Sequence, residues 1–236
     1  MFNGQVTDIF FDLDHTLWDF ETNSQEALLD LYQRYDLEHQ LNAPVQDFLK
    51  AYYQINDALW KLYREGKVTK ANLRHQRFQK AFHSFGPLEE EVIAKFEEEY
   101  MSLAPQKTAL MPGTLEMLSN LKGHFNMHII TNGFEETQKV KLQGSGLAPF
   151  FEVLMCSDTL GVNKPESKIF VSALKEAGAH RKNSLMIGDN LQVDILGARN
   201  TGIDQVYYNP QGESHTEKPT LEIRHWSELP AYLLQA

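Results

Sequence analysis

The sequence predicts an α/β protein in which a doubly wound, Rossmann-like parallel sheet forms the core and an all-helical domain is inserted into it. Three observations predict this fold. A buried-strand pattern occurs at residues 9–11, only helical periodicity follows over residues 17–105, and strand and helix patterns alternate from Pro112 onward. The core domain is therefore expected to comprise residues 1–16 and 106–236, with the helical domain at 17–105.

The first predicted strand, residues 9–11, is apolar throughout, as expected of a strand that is buried on both faces. It is followed by Asp12 and Asp14, and then by the hydroxyl of Thr16. Two carboxylates beside an apolar core repel each other and lose hydration, so they persist most easily where a cation or an electrophile compensates them. A solvated acidic turn is the alternative interpretation of an isolated Asp-x-Asp.

Helical spacing dominates the inserted segment, as in the run where Phe48, Tyr52 and Leu59 recur on one face before Gly66 ends it. The helices predicted there are 22–35, 44–66, 69–86 and 89–105. In the core domain, the predicted strands after the first are 124–131, 151–156, 184–188, 204–208 and 221–223. The predicted helices between them are 115–121, 134–143, 165–178 and 193–200.

The net charge and the cysteine content of the chain exclude some classes of protein. A net charge of −10 argues against a general nucleic-acid binder and against attraction to an anionic membrane, because both need a positive field. The one cysteine, Cys156, fits a reducing compartment, and no apolar run is long enough for a membrane span. A cytoplasmic protein is expected, and the sequence leaves open whether it is a monomer or a weak dimer.

Polar side chains follow four of the predicted strands, and the carboxyl ends of parallel strands meet at one edge of the sheet. Carboxylates are ligands that Mg²⁺ prefers, whereas a hydroxyl, a backbone N–H group and an ammonium group can donate hydrogen bonds to phosphoryl oxygens. In a pair of acids, one carboxylate can act as the nucleophile while the other gives and takes the proton. The residues at these strand ends are Asp12, Asp14, Thr131, Asn132, Lys164, Asp189 and Asp194.

In order and spacing, these residues resemble the four motifs of the haloacid dehalogenase (HAD) superfamily, over essentially the whole chain. The resemblance implies that Asp12 is a nucleophile that forms an aspartyl-phosphate and that Asp14 is the acid/base. It implies a magnesium ion held by Asp12, the backbone carbonyl of Asp14 and Asp189. Asp194 is then expected to orient Lys164 or a metal-bound water. Thr16 is expected to contact the residues that bind metal or phosphate without binding either itself. Phosphate binding falls to Thr131, Asn132 and Lys164.

The stretches 59–66, 74–78 and 130–134 look most like the YjjG-type pyrimidine 5′-nucleotidases. This resemblance implies a small phosphate monoester as substrate, in particular a nucleoside 5′-monophosphate, with the helical domain as a mobile cap. The candidate substrate contacts are Arg77 and His75 for an anion, and Trp18, Phe20 and Phe134 for a base. Two alternatives stay open: a phosphatase of small sugar phosphates or phosphoglycolate, and, more remotely, a phospho-Asp signalling module.

Overall fold

The structure, a computed structural model, describes residues 4–234. These residues form two compact units, of which the second is Glu21–Lys107 and the first comprises the described residues on either side of it. The predicted outermost residues of the core domain, 1–3 and 235–236, lie outside the described range. Among the helices within residues 4–234, none combines the length and the apolar character needed to cross a bilayer.

The first unit contains a parallel sheet with the strand order β3-β2-β1-β4-β5-β6. The first strand in the sequence therefore lies at the centre of the sheet, between β2 and β4. This arrangement confirms the predicted parallel, doubly wound core. The strands are β1 (Asp8–Phe11), β2 (Asn126–Thr131), β3 (Val153–Cys156), β4 (Ser184–Gly188), β5 (Asp204–Tyr208) and β6 (Leu221–Ile223).

The second unit is all helical and has its own core. The rings of Phe48 and Phe96 each lie 5.0 Å from the ring of Phe82, and all three side chains are fully buried. Such a cluster of apolar side chains is what allows a helical unit to fold as a compact body. The helices of this part are α1 (Phe20–Arg34), α2 (Leu37–Leu41), α3 (Val45–Arg64), α4 (Lys70–His83) and α5 (Glu90–Leu103).

The central strand explains why helices cover both faces of the sheet. Successive strand residues point to opposite faces, so Ile9 and Phe11 pack in one apolar cluster and Phe10 packs in another. The first cluster includes residues of α6, α7 and α11, and the second includes residues of α9 and α10. The helices of the first unit are α6 (Thr114–Leu121), α7 (Glu135–Gly144), α8 (Ser157–Leu160), α9 (Ser167–Ala177), α10 (Leu196–Thr201) and α11 (Leu229–Leu233).

The structure differs from the sequence prediction at the boundary between the units. The first unit extends to Phe20, beyond the predicted boundary at residue 16, because the chain folds back on itself after β1. Leu17 and Trp18 donate backbone hydrogen bonds to the carbonyl of Leu13, and Asp19 donates one to Ala109. These bonds tie residues 17–19 to the sheet unit.

A second difference concerns the predicted helix 193–200. The chain first forms a single π-helical turn, Leu191–Ile195, and continues as α10. The side chain of Asn190 caps this turn by accepting hydrogen bonds from the backbone of Gln192 and Val193. Single π turns are frequent at functional sites, and this one carries Asp194.

Candidate active site

The carboxyl edge of the sheet gathers side chains from three neighbouring strands. Asp12 directly follows β1, Thr131 is the last residue of β2, and Asp189 directly follows β4. The backbone N–H of Asp12 donates to the carbonyl of Ile187 at 2.9 Å, so Asp12 is still held at the strand edge. The sheet topology alone therefore brings these three predicted residues together.

Lys164 is buried at the centre of this group, with 1% of its surface exposed. Its Nζ donates to Asp12 Oδ1 at 2.5 Å, to Asp194 Oδ1 at 2.7 Å and to the carbonyl of Ile130 at 2.7 Å. Three acceptors satisfy all three hydrogens of the ammonium group. Burial disfavours the charged ammonium, but Asp12 and Asp194 outweigh that effect and hold the pKa of Lys164 above its ordinary value.

Asn132 fixes the backbone that carries Lys164. Its side-chain Nδ2 donates to the carbonyl of Lys164 at 3.1 Å, and its Oδ1 accepts from the backbone N–H of Lys164 at 2.7 Å. The Asn132 side chain thus positions the lysine. The predicted phosphate contact through the Asn132 backbone N–H stays a prediction.

Three carboxylates share this small space. Oxygen atoms of Asp12, Asp189 and Asp194 all lie within 4.8 Å of one another. Thr16 Oγ1 donates to Asp189 Oδ1 at 2.9 Å and lies 3.4 Å from Asp12 Oδ2, so it links two of them. The free oxygens that remain are hard donors of the kind that Mg²⁺ prefers, so the residues present fit a magnesium ion.

The electrostatics of the three carboxylates also favour a bound cation. Burial, together with the neighbouring carboxylates, raises the pKa of Asp12 and of Asp189 from the ordinary value of 3.8 to about 6. Burial raises the pKa of Asp194 as well, although Lys164 opposes the shift. One ammonium group facing three carboxylates leaves uncompensated negative charge, which a divalent cation would offset.

Asp194 is aligned by contacts on both oxygens. Its Oδ1 accepts from Lys164, and its Oδ2 accepts from the backbone N–H of Asn190 at 3.1 Å. Gly188 leaves the space that this carboxylate occupies, since a Cβ at that position would lie 2.4 Å from Asp194 Oδ2. The contact that the resemblance implies between Asp194 and Lys164 is present in the structure.

Asp14 has different partners from Asp12. Lys141 Nζ donates to Asp14 Oδ1 at 2.6 Å, and Gln138 Nε2 donates to Asp14 Oδ2 at 2.9 Å. Burial opposes ionisation of Asp14, but the Lys141 ammonium outweighs it and holds the pKa of Asp14 below its ordinary value. Asp12 and Asp14 therefore have opposite pKa shifts, because the two carboxylates lie in different electrostatic surroundings.

Thr131 is oriented with its hydroxyl hydrogen available. Its Oγ1 accepts hydrogen bonds from the backbone N–H of Gly133 at 3.0 Å and from Gln138 Nε2 at 2.8 Å. Among the bonds of the described residues, the hydroxyl donates none. A threonine oxygen that accepts twice still has one hydrogen to donate, which suits a phosphoryl oxygen.

Sequence reasoning missed Lys141 and Gln138. They lie three residues apart, on one face of α7, and both are buried, with 6% and 0% of their surface exposed. The signal in the sequence was weak, because α7 also carries Glu135, Glu136 and Lys139 and so resembles a solvated helix.

The aromatic residues predicted to stack on a base have different environments. Trp18 is 1% exposed and packs in the apolar cluster of the sheet unit, with the Lys141 ammonium 4.3 Å from its ring centre. Phe134 is 3% exposed, while Phe20 is partly exposed. The predicted contacts of Trp18, Phe20 and Phe134 with a base stay predictions.

The two basic candidates of the helical unit also differ. Arg77 is 4% exposed, and its guanidinium lies over the rings of Phe78 and Tyr100, at 5.0 and 5.2 Å. It packs inside the helical unit, and its predicted contact with an anion stays a prediction. His75 is exposed, and its ring lies 3.5 Å from Glu97.

Comparisons with known proteins identify the family to which this chain belongs. The model of the haloacid dehalogenase-like hydrolase family matches residues 9–202. The pyrimidine 5′-nucleotidase PynA of Streptococcus pneumoniae is 33% identical over 94% of this chain and 92% of its own length. The pyrimidine 5′-nucleotidase YjjG of Escherichia coli is 34% identical over 89% of this chain and 88% of its own.

A solved structure extends the likeness to the whole fold. The HAD-hydrolase YfnB of Bacillus subtilis, described as bound to magnesium and as revealing interdomain movement, has a TM-score of 0.85 and 30% identity, over 98% of this chain and 99% of that one. The comparisons confirm the predicted resemblance and the predicted enzyme class, a phosphoric monoester hydrolase. With the family model spanning most of its length and both nucleotidases above 30% identity, the chain belongs to the haloacid dehalogenase-like hydrolases.

Proposed function

We propose that this enzyme is a magnesium-dependent phosphatase of nucleoside 5′-monophosphates that acts through an aspartyl-phosphate. One observation carries the proposal: Asp12 lies in contact with Lys164 among the carboxylates of Asp189 and Asp194, while Asp14, two residues on, has separate partners. A nucleophile needs a cationic surrounding for the incoming phosphoryl group, and an acid/base needs to stand beside it. Lys164 supplies one positive charge beside Asp12, a magnesium ion among the three carboxylates would supply more, and Asp14 lies two residues away.

In the first half of the reaction, an Asp12 carboxylate oxygen attacks the phosphorus atom and the bond to the ester oxygen breaks. The Thr131 hydroxyl and the Asn132 backbone N–H donate hydrogen bonds to the phosphoryl oxygens, and the positive charge of Lys164 offsets their negative charge. Protonated Asp14 gives its proton to the departing ester oxygen. In the second half, ionised Asp14 takes a proton from water, whose oxygen attacks the same phosphorus. Inorganic phosphate leaves and Asp12 is restored.

A magnesium ion would be held by Asp12, Asp189 and the backbone carbonyl of Asp14, where it would offset charge on the phosphoryl oxygens. Asp194 then serves by aligning Lys164, and Thr16 by aligning Asp189. The helical unit is proposed to act as a cap that excludes water from the site. The proposed substrate contacts are Trp18, Phe20, Phe134, His75 and Arg77.

A substrate panel tests the proposal. Purified enzyme with Mg²⁺ is expected to release phosphate from pyrimidine 5′-monophosphates with higher kcat/KM than from purine nucleotides, sugar phosphates or phosphoglycolate. The relatives PynA and YjjG support this order, because both are described as pyrimidine 5′-nucleotidases. A preference for sugar phosphates would overturn the nucleotide assignment, and a phosphorylated chain without turnover would indicate a signalling module.

Metal binding is expected to stabilise the folded enzyme in a pH-dependent way. The carboxyls of Asp12 and Asp189 bind protons more tightly in the folded chain, with pKa values of about 6, than at the ordinary value of 3.8. Their ionisation therefore lowers stability as pH rises from about 4 to about 6, and a cation relieves this repulsion above that range. Mg²⁺ should raise the Tm more at pH 7.5 than at pH 5.

Differential scanning fluorimetry with and without Mg²⁺ at both pH values checks this expectation. The variant Asp189→Asn, which removes one of the proposed ligands, is expected to lose most of the shift. A shift that is equal at both pH values, or unchanged in Asp189→Asn, would show that the ion binds elsewhere.

A further inference from the structure

We propose that Lys141 and Gln138 are positioning residues that hold the carboxylate of Asp14 in the orientation for proton transfer to the leaving group. This inference rests on the proposed function and assigns a role to two side chains of α7. Neither residue is expected to touch the phosphoryl group. Each acts through Asp14, and Gln138 also acts through Thr131.

The burial of both residues requires an explanation. An ammonium group and an amide lose hydration when they leave water, so buried examples need polar partners. Lys141 and Gln138 are almost completely buried, and the partner they share is Asp14. A helix face that served packing alone would carry apolar side chains at these two positions.

The contacts determine how Asp14 is oriented. Lys141 holds Oδ1 at 2.6 Å and Gln138 holds Oδ2 at 2.9 Å, so both carboxylate oxygens are engaged from the same helix. Rotation of the carboxylate would break at least one of these contacts. Geometry within a fraction of an ångström is what efficient proton transfer needs from an acid/base.

Gln138 also couples the acid/base to the phosphate-binding strand. Its Nε2 carries two hydrogens and donates one to Asp14 and one to Thr131 Oγ1. The adjoining loop leaves room for this amide only because residue 133 is glycine: a Cβ there would lie 1.9 Å from Gln138 Nε2. One amide therefore aligns two groups that act at opposite ends of the breaking bond.

Lys141 is in turn held by aromatic rings. Its Nζ lies 4.3 Å from the ring centre of Trp18 and 5.8 Å from that of Phe20. A cation over an aromatic face is attracted to it, so the rings restrict the ammonium to the position facing Asp14. This contact also gives Trp18 a role that does not require a free face for substrate.

A comparison of kcat/KM for substrates with different leaving groups distinguishes a positioning role of Lys141 from a purely structural one. A nucleoside 5′-phosphate releases an alkoxide that needs a proton, whereas p-nitrophenyl phosphate releases a stable phenolate that does not. In Lys141→Met, kcat/KM for the nucleotide is expected to fall by about 10²-fold, the size of a general-acid contribution. For the aryl ester it should fall by less than about 3-fold, because kcat/KM reports the first chemical step.

Three further variants keep the test decisive. Lys139→Met removes an exposed lysine of the same helix and should leave both substrates unaffected. Lys141→Arg keeps the charge and should recover part of the loss with the nucleotide. Lys141→Gln removes the charge but leaves a polar side chain at the position and should repeat the selective loss, so the test does not depend on Lys141→Met folding.

Equal losses with both esters, or no loss with either, would overturn the positioning role. If wild-type enzyme hydrolyses neither ester, the proposed function itself fails, which is a different result. Thermal unfolding of each variant confirms that the comparison is made between folded proteins.

Discussion

Asp12→Asn is expected to abolish phosphate release, lowering kcat by at least about 10⁴-fold, because the amide lacks the nucleophilic oxygen that forms the covalent intermediate. The folded protein should survive the change. Asp12, whose pKa is raised to about 6, is one of three clustered carboxylates, so its removal relieves repulsion while Asp194 still pairs with Lys164. The Tm at neutral pH should therefore be unchanged or higher.

Phosphate release from the preferred monophosphate and a thermal melt of the same sample check both halves of this prediction. Asp47→Asn, a change of the same type in the exposed first turn of α3, serves as the control and should keep full activity. An Asp12→Asn enzyme that retains more than a few per cent of wild-type kcat would show that Asp12 is not the nucleophile.

Lys164→Met is expected to be the most destabilising of the single changes considered, at about 3–5 kcal/mol at neutral pH. Methionine keeps much of the volume of the lysine stem but leaves Asp12 and Asp194 as buried charges without their cation. The loss should shrink as the pH falls below about 6, because Asp12, with a pKa of about 6, and Asp194, with a pKa raised by burial, then take up protons and less unpaired charge remains.

Urea denaturation at pH 5 and at pH 8 measures this difference. Lys168→Met, at an exposed position of α9, is the matched control and should stay within about 0.5 kcal/mol of wild type. Equal destabilisation of Lys164→Met at both pH values would mean that packing, and not charge, dominates at Lys164.

The sheet and the residues at its edge were predictable because their signals are local. A continuous apolar run that ends in two acids predicts both the position of β1 and the polar character of the edge, and the strands β4, β5 and β6 have the bounds that the sequence indicates. The parallel topology then places Asp12, Thr131 and Asp189 side by side without any further information.

The features that sequence reasoning missed depend on contacts between distant residues. The π turn that carries Asp194 is held by its bonds to Lys164 and Asn190, which no local pattern shows. Lys141 and Gln138 are buried only because α7 packs beside Asp14, although the helix has the composition of a solvated one. The burial of Arg77 likewise depends on how α3, α4 and α5 pack.

The claim that Asp12 carries the phosphoryl group is tested most directly by trapping the intermediate. Asp14→Asn should still be phosphorylated by p-nitrophenyl phosphate, which needs no acid, but should hydrolyse the adduct slowly. Rapid mixing should therefore give a burst of p-nitrophenolate, and borohydride reduction followed by mass spectrometry should find homoserine at position 12. A burst with homoserine at another position, or with no reduced residue at 12, would contradict the mechanism.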